Sequence, residues 1–179
     1  MELGQHYLEN ALSEFRRLRK SAEKSIAQMD DAQFFQKLDA EANNVALIVK
    51  HIAGNLHSRW DNFLNVDGEK PDRDRDGEFE IRPGDTRARL MERWERGWEI
   101  LFRELTPLKS EDLMRTVLIR SEPYTVVRAI NRQLTHYGEH VGQIVFLAKH
   151  LKGAQWQTLS IPRGKSEEFN AKWAAQFKK

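Results

Sequence analysis

The chain has 179 residues and a mass of 21.0 kDa, the size of one ordinary domain. Its 29 basic and 27 acidic residues interleave to a net charge of +2, so no broad cationic field marks a dedicated nucleic-acid binder. The lack of cysteine excludes a disulfide framework, a thiolate metal site and a cysteine nucleophile. The longest apolar runs, such as 45–49, are five residues long, against the roughly 20 that a membrane span needs. The opening Met1-Glu2-Leu3-Gly4-Gln5 lacks the basic and apolar stretches of a secretory signal. The expectation is a soluble, cytoplasmic protein built as a single domain over 1–179.

A first helix is expected over about 3–29. Leu8, Leu12, Phe15, Leu18, Ala22 and Ile26 recur at intervals of three and four, opposite a basic face of Arg16, Arg17, Arg19, Lys20 and Lys24. Asp30-Asp31 then reads as a break and a new N-cap. A second long helix should cover about 40–64, with Val45, Ile48, Val49, Ile52, Leu56, Trp60 and Phe63 as its stripe. The charged stretch after it, from Asp67-Gly68 to Pro83-Gly84, is not helical in pattern. Some twenty structureless residues inside a compact domain need a reason. A solvated crossover supplies one, because an extended chain at about 3.3 Å per residue can run the length of a helix and start the next one parallel to the last.

Asp85-Thr86 caps a third helix with Leu90, Trp94, Trp98, Leu101 and Leu105 inward. Thr116-Val117-Leu118-Ile119 is β-branched and extended in character, and Ser121-Glu122-Pro123 reads as a turn. A fourth helix should run over about 125–151, ending at Gly153. The tail from about 152 carries Trp156, Leu159, Ile161, Phe169 and Trp173, which are expected to pin it to the rest, with a short last helix. The five tryptophans read as packing residues. The fold class is all-α, a four-helix bundle with a long crossover after the second helix.

Histidines carry the chemistry. His136 and His140 stand one turn apart on the fourth helix, so two imidazoles can meet one ion without moving the backbone. On the second helix, Asn44, His51, Asn55, Ser58, Arg59 and Asn62 make a polar seam beside the apolar stripe. His51, His136 and His140 together offer three neutral nitrogens, a set that zinc or a similar borderline metal accepts. The plainer alternative is that all three are surface or hydrogen-bonded packing residues, as His6, His57 and His150 are taken to be. His136-Tyr137-Gly138-Glu139-His140 also fits the H-x-x-E-H pattern of inverted zinc peptidases. That class needs a carboxylate ligand well downstream, where only Glu167 and Glu168 are found, so Glu139 is read as a solvated side chain.

Two blocks, Val49-Lys50-His51-Ile52-Ala53-Gly54-Asn55 and Arg132 to Ile144 with its His136-Tyr137-Gly138-Glu139-His140 centre, resemble the DinB/YfiT-like superfamily. The loop Asp67-Gly68-Glu69-Lys70-Pro71 and the tail Leu159 to Asn170 are similar to one uncharacterised subgroup of it. The resemblance implies a DinB-like bundle that holds a divalent metal ion, zinc or nickel, through His51, His136 and His140. It also implies thiol chemistry, since relatives include S-transferases and isomerases that use bacillithiol, mycothiol or glutathione, and a homodimer. The expected function is therefore a metal-dependent transferase that joins a low-molecular-weight thiol to a small electrophile. Asn55, Arg59, Arg132 and Gln143 are expected around the site, with Arg59 or Arg132 placed to hold a substrate carboxylate. The alternative is a non-catalytic, metal-stabilised binding or stress-response module.

Overall fold

The computed structural model describes residues 2–177 and is mainly helical. Four long helices, α1 (Leu3–Ile26), α3 (Val45–Trp60), α4 (Arg87–Leu105) and α5 (Val126–Lys152), share one core. A short α2 (Asp31–Phe35) follows α1, a hairpin of β1 (Thr116–Ile119) and β2 (Glu122–Thr125) precedes α5, and α6 (Ser166–Phe177) lies in the tail. The helix starts follow local chemistry. Asp30 caps α2 in a reciprocal box with Gln33, and Asn44, Thr86 and Thr125 accept backbone N–H bonds at the starts of α3, α4 and α5. Gly153 ends α5 at φ 53°.

Partners across the helices set their directions. Lys50 meets Asp85, Leu56 lies against Gly97, and Asp61 meets Arg103, so α3 and α4 run parallel. That arrangement is what a crossover allows and a tight turn forbids. Tyr7 reaches Val127, and Gln28 reaches Gln157, so α1 runs with the direction of α5. Arg19–Glu95 and Arg87–Ile26 set α1 against α4. At the centre each long helix gives one aromatic ring, Phe15, Trp60, Trp98 and Tyr137, with Phe15 within 6.0–6.4 Å of the other three centroids. All four are fully buried, and their edge-on or tilted contacts suit the ring quadrupoles.

The segment 61–86 departs from the expected solvated strap. Residues 76–79 form a 3-10 turn, and the side chains of Arg73 and Glu78 are both only 4% exposed. The cause lies in α3, where Lys50, His51, Asn55, Ser58 and Arg59 are buried. Buried polar groups need partners, and the crossover supplies several of them. Ser58 Oγ donates to the Gly68 carbonyl and accepts from Lys70 N–H, and Lys50 donates to the Glu80 carbonyl and to Asp85. Asp67 then ties the crossover to the hairpin by accepting backbone N–H bonds from Arg120 and Ser121.

The hairpin turn sits one residue earlier than the sequence suggests. Arg120 and Ser121 take φ of 56° and 63°, which matches the twist of a two-residue hairpin loop, and Glu122-Pro123 belongs to β2. In the tail, Trp156 packs partly against the core. Phe169 and Trp173 stack at 5.7 Å on α6 and stay 41% and 53% exposed. Among the described residues, no helix is long and apolar enough to cross a membrane.

Candidate metal centre

Helix α3 brings His51 to the crossover side of the core, where it is 4% exposed. Tyr137 fixes the facing stretch of α5: its hydroxyl accepts from Trp60 Nε1 and donates to Asn55 Oδ1 at 2.9 Å. With Tyr137 locked inward, its neighbour His136 and the next-turn His140 turn towards His51. The Nε2 atoms of His51 and His136 are 3.3 Å apart, and those of His136 and His140 are 3.2 Å apart. All three ligand atoms lie within 4.8 Å of one another, a group that could hold a metal ion.

The other ring nitrogens explain why Nε2 is the free atom. His51 Nδ1 faces Glu78 Oε2 at 2.8 Å, and His140 Nδ1 faces Gln143 Oε1 at 2.9 Å. A carboxylate or an amide oxygen only accepts, so each Nδ1 carries its proton and each Nε2 keeps a lone pair. Partners of this kind orient imidazoles at metal sites and raise their basicity. Glu78 is itself clamped by Arg73, with Nε to Oε1 and Nη2 to Oε2 both at 2.8 Å. Burial favours its neutral form, but the bonds from His51 and Arg73 outweigh that and hold its pKa below the ordinary glutamate value.

His136 and His140 favour the neutral state that ligation requires. Burial first, then the neighbouring His140 and His51 and more distant Arg132 and Arg59, lower the His136 pKa to about 3. Burial also lowers that of His140, with Gln143 and Glu139 opposing. The spacing fits as well: nitrogens bound at about 2.0–2.1 Å to one tetrahedral ion stand about 3.3 Å apart.

A cavity of about 220 Å³ opens beside the three rings, and Asn55, Arg59, Arg132 and Phe79 line it. Of the residues expected near the site, Asn55, Arg59 and Arg132 line this cavity and Gln143 holds His140. In the amide orientation that satisfies both its ends, buried Gln133 donates to Asn55 and accepts from Arg59 Nε and Arg132. Glu139 is exposed and outside the three-histidine group, and no carboxylate joins that group among the described residues, so the peptidase constellation is not formed. His6, His57 and His150 also lie outside it.

Sequence reasoning missed Glu78, Arg73, Arg75, Phe79 and Arg120, four of them on the crossover and one on the hairpin turn. The one available signal was chemical: a ligand histidine needs an acceptor on its second nitrogen, and 67–80 is the acid-rich stretch within reach.

No curated protein matches the chain. A family model described as "Protein of unknown function (DUF1572)" matches residues 2–165, the span that holds the three histidines and the residues around them. The chain belongs to that family.

Proposed function

We propose that the protein is a DinB-like four-helix bundle whose His51, His136 and His140 bind one divalent metal ion, zinc or nickel, and that it catalyses thiol-dependent transfer to small electrophiles. The observation that carries this reading is the convergence of three imidazoles, with His136 Nε2 3.3 Å from His51 Nε2 and 3.2 Å from His140 Nε2, all three ligand atoms within 4.8 Å, and Glu78 and Gln143 holding the opposite nitrogens of two rings. Three histidine ligands with no fourth His, Asp or Glu donor grouped with them among the described residues match the pattern of catalytic rather than structural sites. A divalent cation there would favour the thiolate of a bound low-molecular-weight thiol at neutral pH.

The chain's own residues do the rest. His51 is oriented by Glu78 and His140 by Gln143, and the fully buried Tyr137 keeps their two helices in register. The arginine-lined cavity receives the reactants next to the rings, and Phe79, packed on His51 at 4.8 Å between centroids, screens one side. A cytoplasmic homodimer is the expected setting.

Elemental analysis of tag-free protein tests the metal reading, with about one zinc or nickel per chain expected and loss of it in His51→Ala and His136→Ala. Thiol consumption across a panel of thiols and electrophiles tests the reaction. Bound metal without metal-dependent consumption would leave a non-catalytic module; no metal after exchange with zinc and nickel would refute the site.

A further inference from the structure

The cavity beside the three histidines is lined by five guanidinium groups, Arg59, Arg73, Arg75, Arg120 and Arg132, and by no carboxylate. Two acids offset them from behind. Glu78 neutralises Arg73, and the single carboxylate of Glu69 is shared by Arg59 at 3.5 Å, Arg73 at 3.3 Å and Arg120 at 3.2 Å. Arg75 lies over the Phe79 ring, and Arg132 meets the Gln133 amide; neither has a carboxylate partner among the described residues. Arg59 is 3% exposed, and its Nη1, which has no hydrogen-bond partner, lies towards Gly68 and away from the cavity, so Arg59 acts there through its charge.

Two of the five guanidinium groups, Arg75 and Arg132, thus line the cavity without a carboxylate to neutralise them. Like charges around a concave, partly dry site also concentrate the opposite charge there. The planar fork of arginine matches the geometry of carboxylate and phosphate oxygens. The space of about 220 Å³ is below the roughly 300–1,000 Å³ of drug-sized sites, so it suits a small ligand or one end of a larger one.

We propose that Arg59, Arg75 and Arg132 make this cavity an oxyanion site, so that the ligand brought next to the three histidines carries a carboxylate or phosphate group. The proposal deepens the metal-centre reading and rests on it for the second contact of that ligand. Neutral molecules of the same size gain no charge-assisted contact from these guanidinium groups and are expected not to bind.

Calorimetric titration of the full chain, with and without bound zinc, tests this with three probes: succinate, inorganic phosphate and, as the neutral control, succinamide. Saturable binding of at least one anion per chain is expected, weakened by added salt, with no binding of succinamide. Whichever anion binds more tightly identifies the carboxylate or the phosphate as the preferred group. Arg75→Gln and Arg132→Gln, both at exposed positions, should each weaken it about tenfold, the loss expected for one charge-assisted contact, while the zinc content stays unchanged. Absence of saturable anion binding overturns the proposal, and so does anion binding that is undiminished in both variants or matched by succinamide. Zinc counted on the same samples keeps the two readings apart: anion binding by protein that never takes up zinc refutes the metal centre and leaves the oxyanion site standing.

Discussion

Glu78 is held from two sides, by the His51 ring and by the two-point grip of Arg73, and it contacts no solvent to speak of at 4% side-chain exposure. Its role is to fix the His51 proton on Nδ1, so Glu78→Gln, which keeps the shape and loses the charge, should lower zinc affinity by about tenfold or more. Competition against a chromogenic chelator measures this, and unchanged affinity would mean that Glu78 serves only Arg73. Asp67 makes a separate prediction about pH. Desolvation pushes its pKa up, but backbone N–H bonds from Glu69, Ser121 and Arg120, helped by Arg59, outweigh it and bring the value below the ordinary 3.8. A folded-state pKa below the unfolded one gives stability that is present in full above the unfolded value and is lost as pH falls through the folded value. The stability gap between the native chain and Asp67→Asn should therefore be constant above about pH 5 and shrink below about pH 4. Urea denaturation at a series of pH values reads it directly, and a gap that does not vary with pH would remove Asp67 from the acid response.

Among the elements, α3 and the crossover are joined at one close approach. Gly54 lies one turn after His51, and a methyl group there would stand 2.2 Å from Glu78 Oε1. Helix propensity alone makes Gly→Ala favourable by about 1 kcal/mol in a helix interior. The contact reverses the sign here: Gly54→Ala must push Glu78 off His51, so zinc affinity should fall at least as far as in Glu78→Gln, with no gain in melting temperature. Gly142 on α5 has nothing within 4 Å of the same added methyl, and Gly142→Ala should show the ordinary gain of about 0.5–1 kcal/mol. A Gly54→Ala variant that gains stability like Gly142→Ala and keeps its zinc would show that the carboxylate is not seated against this helix. The same contrast explains what the sequence made legible. Helix periodicity is local, so Leu8, Leu12 and Phe15 on α1 or Leu90, Trp94 and Leu101 on α4 declare their inward face without reference to anything else. His136 and His140 share a face for the same reason, and the polar seam on α3 marked His51, Asn55 and Arg59 as unusual. The crossover has no period to read. Glu78 and Arg73 are buried because α3 leaves polar groups that need partners, a tertiary demand invisible in 61–86 itself, where alternating Asp and Arg suggest only solvation. The Arg120-Ser121 turn was hidden likewise, since its positive φ values fall on residues that seldom adopt them while the neighbouring Pro123 drew attention to the wrong place.

At the scale of the whole molecule the three histidines join parts that are distant in sequence: α3 by His51, α5 by His136 and His140, and the crossover through Glu78. A ligand that binds only this assembled set stabilises the entire fold, because the unfolded chain cannot present three converging nitrogens. At a hundredfold excess over its dissociation constant a metal ion adds about 2.7 kcal/mol. For a chain of this length 1 kcal/mol moves the melting temperature by about 2–4 °C, so chelation should lower it by roughly 5–10 °C, reversibly on adding zinc. His136→Ala supplies the control, since its chain retains the fully buried aromatic core of Phe15, Trp60, Trp98 and Tyr137 and should melt at one temperature with or without chelator. The helices α3 and α5 are already in register through Asn55, Tyr137 and Trp60, so the metal-free protein should keep its helical circular dichroism below the transition. A melting temperature indifferent to chelator in the native chain would mean that the core alone sets stability and that the three imidazoles merely pack. A native chain that unfolds outright on chelation would give the ion a larger structural share than the core packing implies, and would favour a non-catalytic role for the site.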